Sequence, residues 1–275
     1  MEKRVCWGIF READHSPNRE KDDAAILELT AEKLAKNGDC EVSLFQPAEI
    51  LAQASPPPPD LVFYMCEKPE ILKTLDDWEK QGTVMVNSPE GVRNTYRYNT
   101  VDLMEGFEFF PESVPLSTEA TEFESFRPLW VKRLDFHALS VDDVCFANTP
   151  QQLETILKRL HKQKVENVLV QEHAEGDLIK FYGIRSRWFE YFYHKDQTPK
   201  HHVFDKSELE RVAKQSARLL GLDVYGGDAI ITKEGKIFLI DLNAWPSFAL
   251  YRDIASDHIA RLISEKAEKL ARVKS

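Results

Sequence analysis

Cysteine is scarce and scattered in this 275-residue sequence: Cys6, Cys40, Cys66 and Cys145 show no CxxC spacing. That pattern argues against a zinc knuckle or a disulfide framework and suits reduced thiols in the cytoplasm. Positive charge is also in short supply, with 36 Lys and Arg against 46 Asp and Glu and a formal net charge of −10. An acidic shell disfavours nucleic acid and anionic membranes as partners, while a local basic cleft could still hold a small anion. No apolar run approaches the ~18 residues of a membrane helix. The apolar stretch in MEKRVCWGIF is too short for a signal-peptide core, and no small-residue cleavage site follows it. Internal repeats are absent, and the four prolines at 56–59 are the only low-complexity segment. What remains is an ordinary globular composition, 43% hydrophobic and 30% charged, enough for one core or two to three subdomains.

Apolar strands and helical segments alternate from the start. VCWGIF (5–10), CEVSLFQ, DLVFYMC and TVMVNS read as strands. The segment 24–38 reads as a helix stopped by Gly38, and PEILKTLDDWEKQG as another, opened by Pro69 and closed by Gly82. This βαβ rhythm predicts a small parallel sheet over residues 1–87. A third helix is expected over SPEGVRNTYRYNTVDLMEG, with Ser88 as its cap. Beyond residue 110 the pattern becomes α+β: PLWVKRL, VCFAN, NVLVQEH, IKFYGI and RWFEYFYH are strands, with one helix, PQQLETILKRLHKQ, among them. KSELERVAKQSARLLG is a further helix, with Asp205 and Glu208 in capping-box positions and Gly221 at its end. A hairpin and a helix over 257–273 close the chain.

The hairpin carries the strongest chemical signal. IFLIDLNAWPSF, residues 237–248, is an apolar strand that places Asp241 and Asn243 on one face, since side chains two apart point the same way. If the turn pairs Lys233 with Lys236, Asp228 of the preceding strand falls opposite Asp241. Two carboxylates directly across a ladder repel, and a divalent cation between them reverses the sign. Two carboxylates and an amide oxygen are hard donors that suit magnesium, which leaves positions for water and phosphate. The alternative is a solvated strand end where the charges diverge.

GLDVYGGDAIITKEGKIFLIDLNAWPSF resembles the C-terminal signature of the ATP-grasp superfamily, nearest its glutathione-synthetase-like and ribosomal-protein glutamyl-ligase-like branch. The resemblance implies an α/β plus α+β chain. A pre-ATP-grasp domain is expected at 1–87, and two grasp subdomains at 88–170 and 171–275. It implies ATP and Mg2+ as cofactors, with Asp228, Asp241 and Asn243 as metal ligands. Lys132, at the end of PLWVK, corresponds to a phosphate-binding lysine, with a strand-end lysine as the plainer reading. NVLVQEHAEGDLIKFYGI resembles the interdomain hinge, where the backbone at Gln171, Glu172 and His173 reads adenine, Asp177 meets the ribose and Lys180 faces phosphate. Arg187, with Arg185, is a candidate for a carboxylate or phosphate because the guanidinium fork matches either.

Two features depart from the pattern. Where many relatives carry a lysine in the helix that opens the grasp, the chain offers only Arg97. The segment matching the family's glycine-rich phosphate loop, RLDFHALSVDDV, has no glycine and carries Asp135, His137, Asp142 and Asp143. The long polar stretch after the first strand, with Arg11, His15 and Arg19, reads as a solvated loop that could also touch substrate. The activity implied is an ATP-dependent ligase that joins a small-molecule or peptide carboxylate to an amine acceptor through an acyl phosphate. Lys132, Lys180 and Arg187 are the expected catalytic groups, and a homodimer is an allowed assembly. The alternatives are a kinase of the same fold acting on a hydroxyl, and a nucleotide-binding regulator with weak turnover.

Overall fold

The structure, a computed structural model, describes residues 3–16, 19–38, 40–53, 57–120, 126–134, 143–195 and 197–274, with side chains described through residue 269. The N-terminal alternation folds as β1 (Arg4–Ile9), α1 (Glu20–Lys36), β2 (Cys40–Phe45), α2 (Pro47–Leu51), β3 (Leu61–Tyr64), α3 (Pro69–Lys80) and β4 (Val84–Val86). These strands form a parallel sheet in the order β2-β1-β3-β4. Every residue of β3 is buried, as expected for a strand covered on both faces. Helix α3 buries Ile71, Leu72, Leu75 and Trp78, one stripe at helical spacing.

The expected third helix is instead two, α4 (Pro89–Asn94) and α5 (Arg97–Met104). Ser88 caps α4 as expected, its hydroxyl accepting from Gly91 N at 3.0 Å. The chain then leaves the helical path at Tyr96, extended at φ −64° and ψ 134°. Its hydroxyl donates to the Glu67 carbonyl. A tertiary bond to the first sheet thus overrides local helix propensity.

A second sheet is antiparallel, in the order β5-β8-β6-β7, from β5 (Ser113–Ser117), β6 (Leu129–Arg133), β7 (Val144–Ala147) and β8 (Asn167–Glu172). Strand β5 is hidden in the sequence by Pro115. It lies at the sheet edge, where a proline is tolerated because its missing N–H can face away from the ladder. Helix α6 (Pro150–Lys162) packs Leu153, Leu157 and Leu160 onto this sheet, giving the lobe its own small core. The expected boundary at residue 170 falls inside β8.

The third sheet, order β10-β9-β11-β12, holds β9 (Asp177–Ile184), β10 (Trp188–Tyr193), β11 (Val224–Ile231) and β12 (Ile237–Ala244). Helix α7 (Lys206–Leu220) starts at Asp205, whose carboxylate accepts from Ser207 N at 2.8 Å. Glu208 pairs with Arg211 at 2.7 Å, so the expected capping box does not form. Helix α8 (Arg252–Lys274) begins five residues earlier than expected and packs on α1. The first and third sheets share their cores. Asn87, 1% exposed, joins them. Its Nδ2 donates to Val224 O at 2.8 Å, and its Oδ1 accepts from the N–H groups of Asp223 and Val224 at 2.7 and 2.8 Å. The β5–β8 lobe meets the third sheet where Lys132 Nζ donates to Ile240 O at 3.1 Å. Among the described residues no helix is long and apolar enough to cross a membrane.

Candidate active site

The hairpin turn does not pair Lys233 with Lys236. Gly235 N donates to Thr232 O and Thr232 N to Lys236 O, both at 2.9 Å, and Gly235 takes φ 78°. This is a three-residue loop closed by a left-handed glycine. Its register pairs Ile231 with Ile237 and Ala229 with Leu239, one step off the sequence expectation. A bulge between Asp228 and Ala229 then restores the shift, and Asp228 lies opposite Asp241. The extra residue is Ile240. Core contacts change parity there: Ile237 and Leu239 face the core before the bulge, Leu242 and Ala244 after it. Asp241 and Asn243 are thereby turned away from the core, the re-aiming that bulges characteristically provide.

Asp228 also pairs with Lys180 of β9, so Lys180, Asp228 and Asp241 form one row across three strands. The Lys180 Nζ lies 2.7 Å from Asp228 Oδ1. Asn243 Nδ2 donates to Asp241 Oδ2 at 3.4 Å, placing both side chains together. Burial pushes the Asp228 carboxyl above its ordinary range; Lys180 works against this, and the Asp241 charge adds to it. The neighbouring row, Leu178, Ile230 and Phe238, is half-buried and apolar.

Across the cleft, Lys132 of β6 is 9% exposed, and its Nζ donates to Gln171 Oε1 at 2.8 Å and to the Ile240 carbonyl at 3.1 Å. The same bulge that aims Asp241 therefore presents a carbonyl to this ammonium. Burial pushes the Lys132 amine down to about 8; Arg97 adds to that shift, and Asp241 and Asp228 oppose it. Arg97 donates to Arg133 O at 2.7 Å, which places it beside Lys132 at the base of the lobe. The segment expected to cover phosphate, including Asp135, His137 and Asp142, lies outside the described residues, while Asp143 lies 3.8 Å from Arg133.

Several hinge expectations change. The Gln171 side chain bridges Lys132 and Ser113, donating to Ser113 Oγ at 3.0 Å. Glu172 N donates to Glu112 O at 2.8 Å and His173 N to Pro128 O at 3.0 Å, so neither N–H is left to read adenine. The next N–H belongs to Ala174. His173 accepts from Trp130 Nε1 at 3.1 Å and packs on Phe146, a structural position. Asp177, expected near a ribose, accepts from Lys200 N at 2.6 Å and His202 N at 2.8 Å. Burial alone would raise its carboxyl, but these two N–H groups hold it below the ordinary range. Arg187, expected at the catalytic centre, pairs with Glu265 of α8. It belongs to the β9–β10 turn, seven residues past Lys180, and docks a helix there.

The loop after β1 is ordered where described. Arg11 lies 3.0 Å from both Asp23 and Glu67, and its Nη2 donates to Trp245 O at 2.9 Å. His15 is held by Glu67 at 2.8 Å, which raises its imidazole above the usual value. Arg11 thus braces the chain just past Asn243, where Trp245 sits at φ 40°. Arg19 is exposed. The Gln171 bridge, the Arg11 brace and the Ile240 bulge left no signal in the sequence reading, because each is a contact between distant segments.

Two carboxylates and an amide oxygen on one sheet face are hard donors with excess negative charge, and the Lys180 ammonium pairs with Asp228. Among the described residues no group of three His, Cys, Asp or Glu could hold a metal. The donor set therefore fits a cation that takes the rest of its shell from water or phosphate, as magnesium does.

No protein-family model matches the sequence, and no curated protein matches it significantly. Solved structures do match. The D-alanine–D-alanine ligase of Bacillus anthracis superposes with a TM-score of 0.69 at 11% identity, covering 100% of both chains. A RimK domain protein ATP-grasp from Sphaerobacter thermophilus gives 0.69 at 17% identity over 94% of this chain and 99% of that one. The ATP-grasp ligase PsnB, complexed with a minimal precursor, gives 0.67 at 15% over 96% and 99%. The chain shares the fold of these ATP-grasp structures.

Proposed function

We propose that the protein is an ATP- and Mg2+-dependent ligase that activates a carboxylate as an acyl phosphate and passes it to an amine. One observation carries the reading: a bulge turns Asp241 and Asn243 to the face of Asp228, with Asp228 and Asp241 in the Lys180 row and the Lys132 ammonium on the bulged Ile240 carbonyl. ATP would supply the phosphoryl group and Mg2+ the charge neutralisation when bound. Asp228, Asp241 and Asn243 would hold the metal. Lys132 and Lys180 would offset phosphate charge, and the half-buried row of Leu178, Ile230 and Phe238 would offer an apolar floor for a base. Ala174, the next residue of the hinge, would supply an N–H to the base. Such chemistry needs no covalent nucleophile, because positioning and electrostatics do the catalytic work. The solved neighbours, ligases in their descriptions, favour an amine acceptor over a hydroxyl. The free thiols of Cys6, Cys40 and Cys66 suit a cytoplasmic setting.

The test is ADP and phosphate release with pooled amino acids and short peptides as donors and acceptors. Release that requires both a carboxylate and an amine is the expected result. Release on a polyol alone would favour a kinase, and tight nucleotide binding without turnover would favour a regulator.

A further inference from the structure

A cleft of about 630 Å³ lies apart from the candidate active site. It opens where the α3 and β4 end of the first sheet meets α7, α8 and the β9–β10 turn. Arg185, Lys214, Arg218 and Lys266 line it, against the carboxylates Glu79 and Asp223. A cleft with cations in excess is notable on a chain of net charge −10. Lys266 is committed to Asp223 and to Met85 O, and Lys214 to Glu210. Arg185 commits its Nε to Asp223, while its side chain stays 46% exposed. Arg218 is exposed and has no ion pair among the described residues.

A second observation points the same way. Tyr225 also lines the cleft and is 1% exposed, yet its hydroxyl has no hydrogen-bond partner among the described residues. The ring lies across Gly183, where a Cβ would come within 2.2 Å of Cζ, so the strand has given up a side chain to seat this phenol. Buried polar groups are normally paired, and an unpaired one in a pocket wall is an unmet binding contact.

We infer that this cleft is a second ligand site, separate from the nucleotide cleft, for a small anion with two acidic groups. Arg185 and Arg218 would take its charged oxygens through their guanidinium forks, and Tyr225 would donate to a third oxygen. The site also gives a place to Arg185, which the catalytic reading leaves unused. Because Glu79 comes from α3 and Arg218 and Lys266 from the C-terminal half, the ligand would be held between the two halves of the shared core.

Calorimetric titration with inorganic pyrophosphate and, separately, with citrate tests the inference. At least one should bind the wild-type protein, and the one that does identifies the preferred acidic group. Arg185→Ala with Arg218→Ala should weaken that binding at least tenfold. Tyr225→Phe should weaken it about fivefold, the loss of one hydrogen bond, without lowering the melting temperature of the free protein. Lys180→Ala, in the other cleft, should leave it unchanged, so failure of the proposed catalytic function would not disturb this result. Failure of both probes to bind, or binding lost with Lys180→Ala and retained in the double arginine variant, would overturn the inference.

Discussion

Replacing Asp241 with Asn separates the metal reading from a merely structural one, because the two predict opposite signs. Residues directly opposite across an antiparallel pair have Cα atoms roughly 5 Å apart, and two unit charges at about that distance repel by roughly 3 kcal/mol at an effective dielectric constant of about 20. Lys180, 2.7 Å from Asp228, cancels much of this for one partner. A residual repulsion of about 1 kcal/mol is a reasonable remainder. Asp241→Asn removes it, so the metal-free variant should melt about 2–4 °C above wild type for a chain of this size. With magnesium and a non-hydrolysable ATP analogue the order reverses. One of two carboxylates facing a doubly charged ion is gone, at a cost of roughly 2–3 kcal/mol, or about 30- to 150-fold in affinity. Differential scanning fluorimetry in EDTA and calorimetry at saturating magnesium read the two signs. A variant that melts lower without metal and binds the magnesium nucleotide as wild type does would refute the metal assignment.

Lys132 makes a pH prediction. Its amine lies at about 8 in the fold against an ordinary 10.5, so between those values the unfolded chain holds more protons and this group's contribution to stability rises with pH. A phosphate placed beside it raises the pKa again, so nucleotide binding at pH 8 should take up about half a proton. Calorimetry in buffers of different ionisation enthalpy measures that uptake, and Lys132→Met should abolish it. Gly183→Ala should cost about 2–3 kcal/mol in urea unfolding, because the new Cβ meets the Tyr225 ring at 2.2 Å. Asn87→Ala strips partners from two buried N–H groups and a carbonyl that join the first and third sheets. It should lower the urea midpoint by the equivalent of about 2–4 kcal/mol while leaving nucleotide affinity unchanged.

The sequence was most legible where periodicity and chain order suffice. Ser88 and Gly221 mark helix ends that the structure keeps, and the parallel first sheet follows from the alternation of strand and helix. What escaped depends on partners far along the chain. Pro115 hid an edge strand, a bond from Tyr96 to Glu67 split a helix, and the hinge N–H groups of Glu172 and His173 were claimed by Glu112 and Pro128. The alignment of Asp228 with Asp241 is the instructive case. It was reached from a wrong turn, and the structure recovers it through a bulge that no pattern of apolar residues announces. Had β12 run without that bulge, Asp228 would face Ile240, and Asp241 would share the core face of Leu239. A carboxylate at that depth carries a large desolvation cost with no partner to offset it. The bulge turns this buried charge toward the cleft and in the same stroke offers the Ile240 carbonyl to Lys132. The local irregularity in β12 is therefore what couples the two sides of the cleft, and deleting Ile240 should damage the site more than any single ligand substitution.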